Sequence, residues 1–178
     1  SATRGHGVSF YTSADMMRAR RTPTSTVARK ASRHIKQCRI KPRMTLICRS
    51  GTFGGIMGRA TFASSETDGW AVTEDMVRCL VKSEEYTAEY VYAILSCLAI
   101  GYPLITAFRY GKDVPHIDPE ELKAIPLPVL TPAVRSDMTK KVQDAYAAVD
   151  IANQLEERAV ASLLTKLHWQ QEGVPEIA

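Results

Sequence analysis

Residues 131–167 read TPAVRSDMTKKVQDAYAAVDIANQLEERAVASLLTKL, and this stretch sets the architecture. Thr131-Pro132 is a helix start, because proline at the first helical position has no N–H to lose and a backbone angle already suited to the helix. Beyond Pro132 no Gly or Pro follows as far as Leu167. Val142, Val149, Glu156 and Leu163 recur at sevens, as do Met138, Ala145, Ala152 and Ala159. They form an apolar stripe with one charged interruption, flanked by Tyr146, Leu155 and Val160. A helix of about 35 residues is roughly 50 Å long, more than the preceding residues can cover. Either it folds back on its own domain or it pairs with a partner helix. The small alanines favour a closely packed partner, with Met138, Val142, Ala145, Val149, Ala152, Ala159 and Leu163 on the shared seam.

Upstream, the pattern changes to short strands and one apolar helix. Met44–Arg49 reads as a strand ended by the Ser50-Gly51 turn signal, with Ile56–Phe62 and Trp70–Thr73 as further candidates. Met76–Val81 has the continuous apolar bias of a strand buried on both faces. Thr87 is placed to cap a helix running through Ile100, with Glu89 favourable in its first turn. Tyr90, Val91, Ile94, Leu95, Leu98 and Ile100 wrap most of that helix, so it belongs in the core, and Gly101 and Pro103 end it. Asp118-Pro119-Glu120-Glu121 starts a short helix, which Pro126 and Pro128 stop; Ile125–Leu130 is then extended. Val8–Tyr11 is a short apolar stretch followed by a turn capped by Ser13, and residues 18–36 read as a basic loop or an exposed element.

Charge is unevenly divided. Residues 1–60 hold thirteen Lys or Arg and one acidic residue, Asp15, a balance of +12, against −8 for the remaining residues. A solvated basic tail and a phosphate-neutralising surface both fit this distribution. No run is long enough to span a membrane, no secretory leader is visible, and a cytoplasmic protein is expected. Cys38, Cys48, Cys79 and Cys97 form no C-x-x-C pair and have no histidine at ligand spacing, so neither a disulfide framework nor a metal site is expected.

Catalytic constellations are missing from the pattern. Gly51-Thr52-Phe53-Gly54-Gly55-Ile56-Met57-Gly58 lacks the Lys-Ser/Thr of a phosphate-binding loop and the dinucleotide glycine spacing. Asp113, Glu121 and Lys123 only loosely match a metal-dependent nuclease set, and capping accounts for Glu121. His6, His34, His116 and His168 are scattered, and no nucleophile elbow occurs. The expectation is a protein without catalytic residues and without a cofactor.

The order of segments carries more than any one of them. Gly7-Val8-Ser9-Phe10-Tyr11 with Ser13 and Asp15 is followed by Arg49-Ser50-Gly51-Thr52-Phe53-Gly54 after a strand. A second strand and the Tyr90–Leu95 helix come next, then Gly111-Lys112, Ile117, Leu122, Ile125-Pro126-Leu127-Pro128 and the heptad helix. This order resembles the target-recognition half of a type I restriction–modification specificity subunit with its spacer helix, over about residues 5–165. It departs where the spacer helix begins, with Pro132-Ala133 in place of the usual Glu-Gln pair.

The resemblance implies an α+β recognition domain with a twisted, partly open sheet and peripheral helices, followed by a long coiled-coil-forming helix. Residues 1–130 would be the recognition domain, 131–168 the spacer and dimerisation helix, and 169–178 a tail. The partners implied are double-stranded DNA, a separate adenine methyltransferase subunit, and a second recognition domain met through the helix, as another copy or a missing half. Arg18, Arg20, Arg21, Arg29, Lys30 and Arg33 are expected along the DNA. Arg49, Arg59, Arg109 and Lys112 form a second rank, with Tyr110 against sugar or base. The specificity region of a larger fused restriction–methylation enzyme, a basic RNA-binding protein and a helical adaptor are the competing functions.

Overall fold

The computed structural model describes residues 7–15, 18, 23, 25–28, 32–52, 54–112 and 114–167. It is a mixed α+β fold with a long C-terminal helix, as the sequence implies. The strands are shared among two three-stranded sheets and a hairpin. In the first sheet β1 (Gly7–Tyr11) lies between antiparallel β2 (Ser25–Ala28) and parallel β5 (Ala71–Val72). In the second, β3 (Thr45–Cys48) lies between β4 (Ala60–Phe62) and β6 (Met76–Cys79), both antiparallel to it. β7 (Arg109–Tyr110) and β8 (His116–Ile117) make the hairpin.

β3 explains how these pieces hold together. All four of its residues are buried. Successive side chains of a strand point to opposite faces, and Leu46 and Cys48 enter a core with Tyr11, Ile40, Val72 and Met76. Ile47 faces the other way, into a core with Met57, Tyr90, Ile94, Leu95, Ile105 and Ile117. Burial on both faces was expected of Met76–Val81, but there only Met76 is fully enclosed, and the strand ends at Cys79. β3 has the two-faced position because side chains from β1 and β5 cover one face and those of α2, α3 and β8 cover the other, and it is the central strand of its sheet, whereas β6 is an outer one.

Burial pushes the thiols of Cys48 and Cys79 above their ordinary pKa, the effect outweighing for Cys48 the hydrogen bonds with Ser13 and Ser50. Residues 18–36, read as a loop or an exposed element, include β2 and most of a short helix, α1 (Ser32–Gln37). Of the stretch 56–62 only the last three residues are strand, because positions 54–58 form turns.

Helix α2 (Ala88–Ser96) begins as expected: the Thr87 hydroxyl accepts the Tyr90 N–H at 3.1 Å. Glu89 does more than favour the first turn. Its carboxylate is nearly buried and takes two hydrogen bonds from Arg43, each 2.9 Å. The helix stops four residues earlier than the apolar pattern suggests. The chain bends by 82° into α3 (Gly101–Ala107), leaving Leu98 and Ile100 exposed. Gly101 starts this second helix instead of ending the first, and Pro103 sits inside it. A Cβ at Gly101 would lie 2.3 Å from the carbonyl oxygens of Ile94 and Leu95, so only glycine permits so close a return. No single helix among the described residues is long and apolar enough to cross a membrane.

The predicted short helix after Pro119 is a 3-10 turn, Glu121–Ala124, with Asp118 Oδ1 accepting the Glu120 N–H. Extended residues then cross α2, where the Tyr90 hydroxyl donates to the Pro128 carbonyl. The last helix, α4 (Pro132–Lys166), has the predicted start, although the Thr131 side chain makes no capping bond.

The seam expected along α4 is divided. Val142 is buried with Phe62 and Ala88, and Met138 packs against the α2 core, so this part folds back on its own domain. Val149 is half-buried, while Ala145, Ala152, Ala159 and Leu163 are exposed. The residues that dock the helix overlap the heptad set only in part, at Met138 and Val142. Thr139, Val142, Tyr146, Asp150 and Asn153 bond or pack against Thr87, Phe62, Ser65 and Glu66. Three- and four-residue steps keep this polar line on one face. Residues 154–167 are exposed throughout.

Tyr146 is the hub of the docking. Its ring meets Phe62 and Tyr92 at 5.2 and 5.5 Å, and its hydroxyl donates to Tyr92 while accepting the Phe62 N–H. Tyr146→Phe would leave the buried Phe62 N–H without its acceptor. We expect a loss of about 1–3 kcal/mol, seen as a lower urea midpoint at constant m-value; an unchanged midpoint would show that the hydroxyl does not anchor the helix.

Candidate nucleic-acid interface

β3 ends at Cys48, and the next residue carries the first functional side chain. The Arg49 backbone is tied on both sides: its N–H donates to Asp75 and its carbonyl accepts the Ile117 N–H. The guanidinium is fixed as well, donating from Nε to the Ile117 carbonyl at 3.1 Å and from Nη2 to the Tyr110 hydroxyl at 3.0 Å. A Ser50–His116 bridge pins the β7–β8 hairpin to this end of the sheet. The Tyr110 ring, 49 % exposed, lies 6.0 Å from the His116 ring. His116 Nδ1 is buried and has no hydrogen-bond partner among the described residues.

The glycine-rich segment forms a loop over the same end. Gly55 N–H donates to Thr52, and Gly58 N–H donates back to Cys48. Helix α3 holds the loop from beside, through the Tyr102 hydroxyl, which accepts the Gly54 N–H at 2.9 Å. Arg59 closes it: its Nε donates to the Gly55 carbonyl at 3.2 Å and its guanidinium lies 5.3 Å from the centre of the Tyr102 ring. Gly58 has φ +77°, and a Cβ there would be 2.8 Å from the Thr106 methyl and 3.3 Å from Tyr102. The glycines therefore serve a tight turn against α3.

Arg109 and Lys112 are exposed on the hairpin, with Arg109 Nη1 donating to the Thr106 carbonyl. So a chain of contacts links Arg49, Arg59, Arg109 and Tyr110 around the end of β3, with Lys112 in the adjoining hairpin turn, although they are up to about sixty positions apart. Arg18 stands just after the turn that follows β1. It pairs at 3.6 Å with buried Asp15, whose turn is held by Thr12, not by the predicted Ser13. Ser13 instead reaches the Cys48 thiol, which brings this turn to the same end of β3. Arg20, Arg21, Arg29 and Lys30 lie outside the described residues. Arg33 is in α1, but its side chain is likewise outside them.

The described cations have two kinds of anchor, carboxylate and neutral, and Arg39 and Arg78 share the neutral kind through the carbonyls of Gly69 and Met76. Arg18, Arg43, Lys123, Arg135, Lys140 and Lys141 are paired with carboxylates. Arg49 and Arg59 are held by neutral groups, namely carbonyls, a phenol and an aromatic face. Their charge is positioned without being neutralised by a described carboxylate, as an anion site needs. Exposed Glu74 and Asp75 stand just before β6, at the same end, and bound the patch on that side. Tyr102 and His116 were not singled out by sequence reasoning. Tyr102 was hidden in a Gly-Tyr-Pro read only as a helix stop.

Comparison of the sequence with protein-family models gave no match, and comparison with curated proteins gave none. Among the described residues no group of three or more His, Cys, Asp or Glu is placed to hold a metal.

Gly58→Ala tests the loop geometry. The strained φ and the contact with Thr106 together should cost about 2 kcal/mol and lower Tm by several degrees. A fully stable variant would mean that the loop is not held against α3.

Proposed function

We propose that this chain is a sequence-specific DNA-binding component of a type I restriction–modification system, directing a separate adenine methyltransferase, and its associated nuclease, to a split site. In this role the chain performs no chemistry and works in the cytoplasm. The observation that carries the proposal is the set of fixed arginines with neutral anchors, Arg49 and Arg59, beside exposed Arg109, Lys112 and Tyr110. Phosphates give affinity and base edges give specificity, and preset guanidiniums beside exposed cations can supply both. The segment order of the specificity subunits, which the sequence resembles, gives the class of system.

The exposed part of α4 supports the pairing of two recognition domains. Ile151, Leu155, Val160, Leu163 and Leu167 are exposed apolar residues on a helix whose first half is already docked. Pairing through this part would join two recognition faces at a fixed separation, as a second copy or with another domain of the same kind.

Long-read mapping of adenine methylation, with the gene intact and deleted, tests the role directly. One split motif should lose methylation on deletion; an unchanged methylome sinks the specificity role. In vitro, the affinity for duplex DNA should fall with salt at a log–log slope of about −3 or steeper, as expected for three or more phosphate contacts. A flat profile, or a preference for RNA over duplex in competition, would favour the other functions.

The helix length gives a separate prediction. Seven residues inserted after Leu155 extend a helix by roughly 10 Å, about three base-pair steps. The unspecified spacer of the methylated motif should lengthen accordingly. An unchanged spacer would show that α4 does not set the distance.

A further inference from the structure

We propose that Arg59 is the base-reading residue of this interface, and that it selects a guanine through the major groove. The inference rests on the DNA-binding function above and assigns roles within that site. Four cations are gathered there, and they differ in how far their geometry is decided before any ligand arrives.

Lys112 is an exposed point charge at a hairpin turn next to Gly111, which has φ +90°. A flexible ammonium suits a phosphate, whose position it can follow, and carries no directional information. Arg109 is exposed one strand earlier. Arg49 already commits both Nε and Nη2 to partners within the protein.

Arg59 is different. Its single described hydrogen bond uses Nε, the inner nitrogen, on Gly55. The guanidinium carbon also lies over the Tyr102 ring, 5.3 Å from its centre, a second contact that restrains the group. Tyr102 is in turn fixed by the Gly54 N–H, and the Gly58 backbone is pressed against both Tyr102 and Thr106. None of the ion pairs among the described residues involves Arg59. The two outer nitrogens, Nη1 and Nη2, remain as a planar fork on a half-buried stem.

Guanine presents two acceptors side by side, O6 and N7, and an arginine fork meets both at once. Neither adenine nor a pyrimidine offers that pair. A restrained fork discriminates better than a mobile one, because the ordering cost is met before binding. Tyr102 is therefore a positioning residue: it need not touch DNA to affect which base is chosen.

The test uses the full chain and a library of duplex DNA with random positions, selected by binding and sequenced. Wild type, Arg59→Lys, Tyr102→Leu and Lys112→Ala are compared, each checked for an intact Tm. Arg59→Lys keeps the charge but loses the fork. It should retain the salt slope while its preference for guanine at one position falls about ten-fold or more. Tyr102→Leu should weaken the same preference at the same position. Lys112→Ala should weaken binding to all sequences alike and reduce the salt slope by about one.

If Arg59→Lys keeps the wild-type base preference, the assignment is overturned while the DNA-binding function stands. If wild type binds every duplex equally, with a steep salt slope, the assignment and sequence specificity fall together and phosphate binding survives. If wild type does not bind duplex DNA, both this assignment and the proposed function are overturned.

Discussion

The double burial of β3 is the constraint on which the rest of the structure depends. Thr45, Leu46, Ile47 and Cys48 have no exposed face, and their alternation divides the interior into two cores. One core takes the β1–β5 side, including Tyr11 and Val72; the other takes α2, α3 and β8. A strand so enclosed cannot slip by one residue without exchanging its side chains between the two interiors. Register is fixed there, and whatever follows Cys48 leaves the interior at a set place and angle. Arg49 follows it, and the loop and hairpin gather around that exit.

Much of this was legible because it rests on local chemistry. The Thr45–Cys48 strand, the Thr87 cap and the Pro132 helix start each depend on a few adjacent residues, and each lies where the sequence placed it. The failures involve distant neighbours. The apolar pattern of α2 continues through Leu98 and Ile100, yet the helix turns away at Ser96. The 82° bend depends on contact between Gly101 and the preceding carbonyls, which composition does not reveal. Two-faced burial was assigned to β6 instead of β3 because both are short apolar runs, and only packing and sheet order separate them. β2 was missed because an edge strand needs few apolar residues.

The same distinction applies to the candidate site. Arg49, Arg59, Arg109 and Lys112 each look like ordinary surface charges along the chain. Their significance comes from convergence, and from their anchors. A carbonyl from β8 and a phenol from β7 hold Arg49, and the Gly55 carbonyl and an aromatic ring from α3 hold Arg59, without cancelling either charge. Six other cations are held by carboxylates, as Arg43 is by Glu89. The division between neutral and charged anchors is a property of tertiary structure that charge counting along the sequence cannot provide.

The docking of α4 has a mechanical consequence. The polar line from Thr139 to Asn153 clamps one part of a rigid rod, and the exposed remainder, residues 154–167, is a cantilever roughly 20 Å long. A tilt of about ten degrees at the clamp would carry its tip about 4 Å, close to one base-pair step. Stiffness at Tyr146, Asp150 and Asn153 thus limits how accurately anything joined to the far end is placed. In the proposed DNA-binding role, loosening that clamp would blur the distance set between two half-sites even with every DNA contact intact.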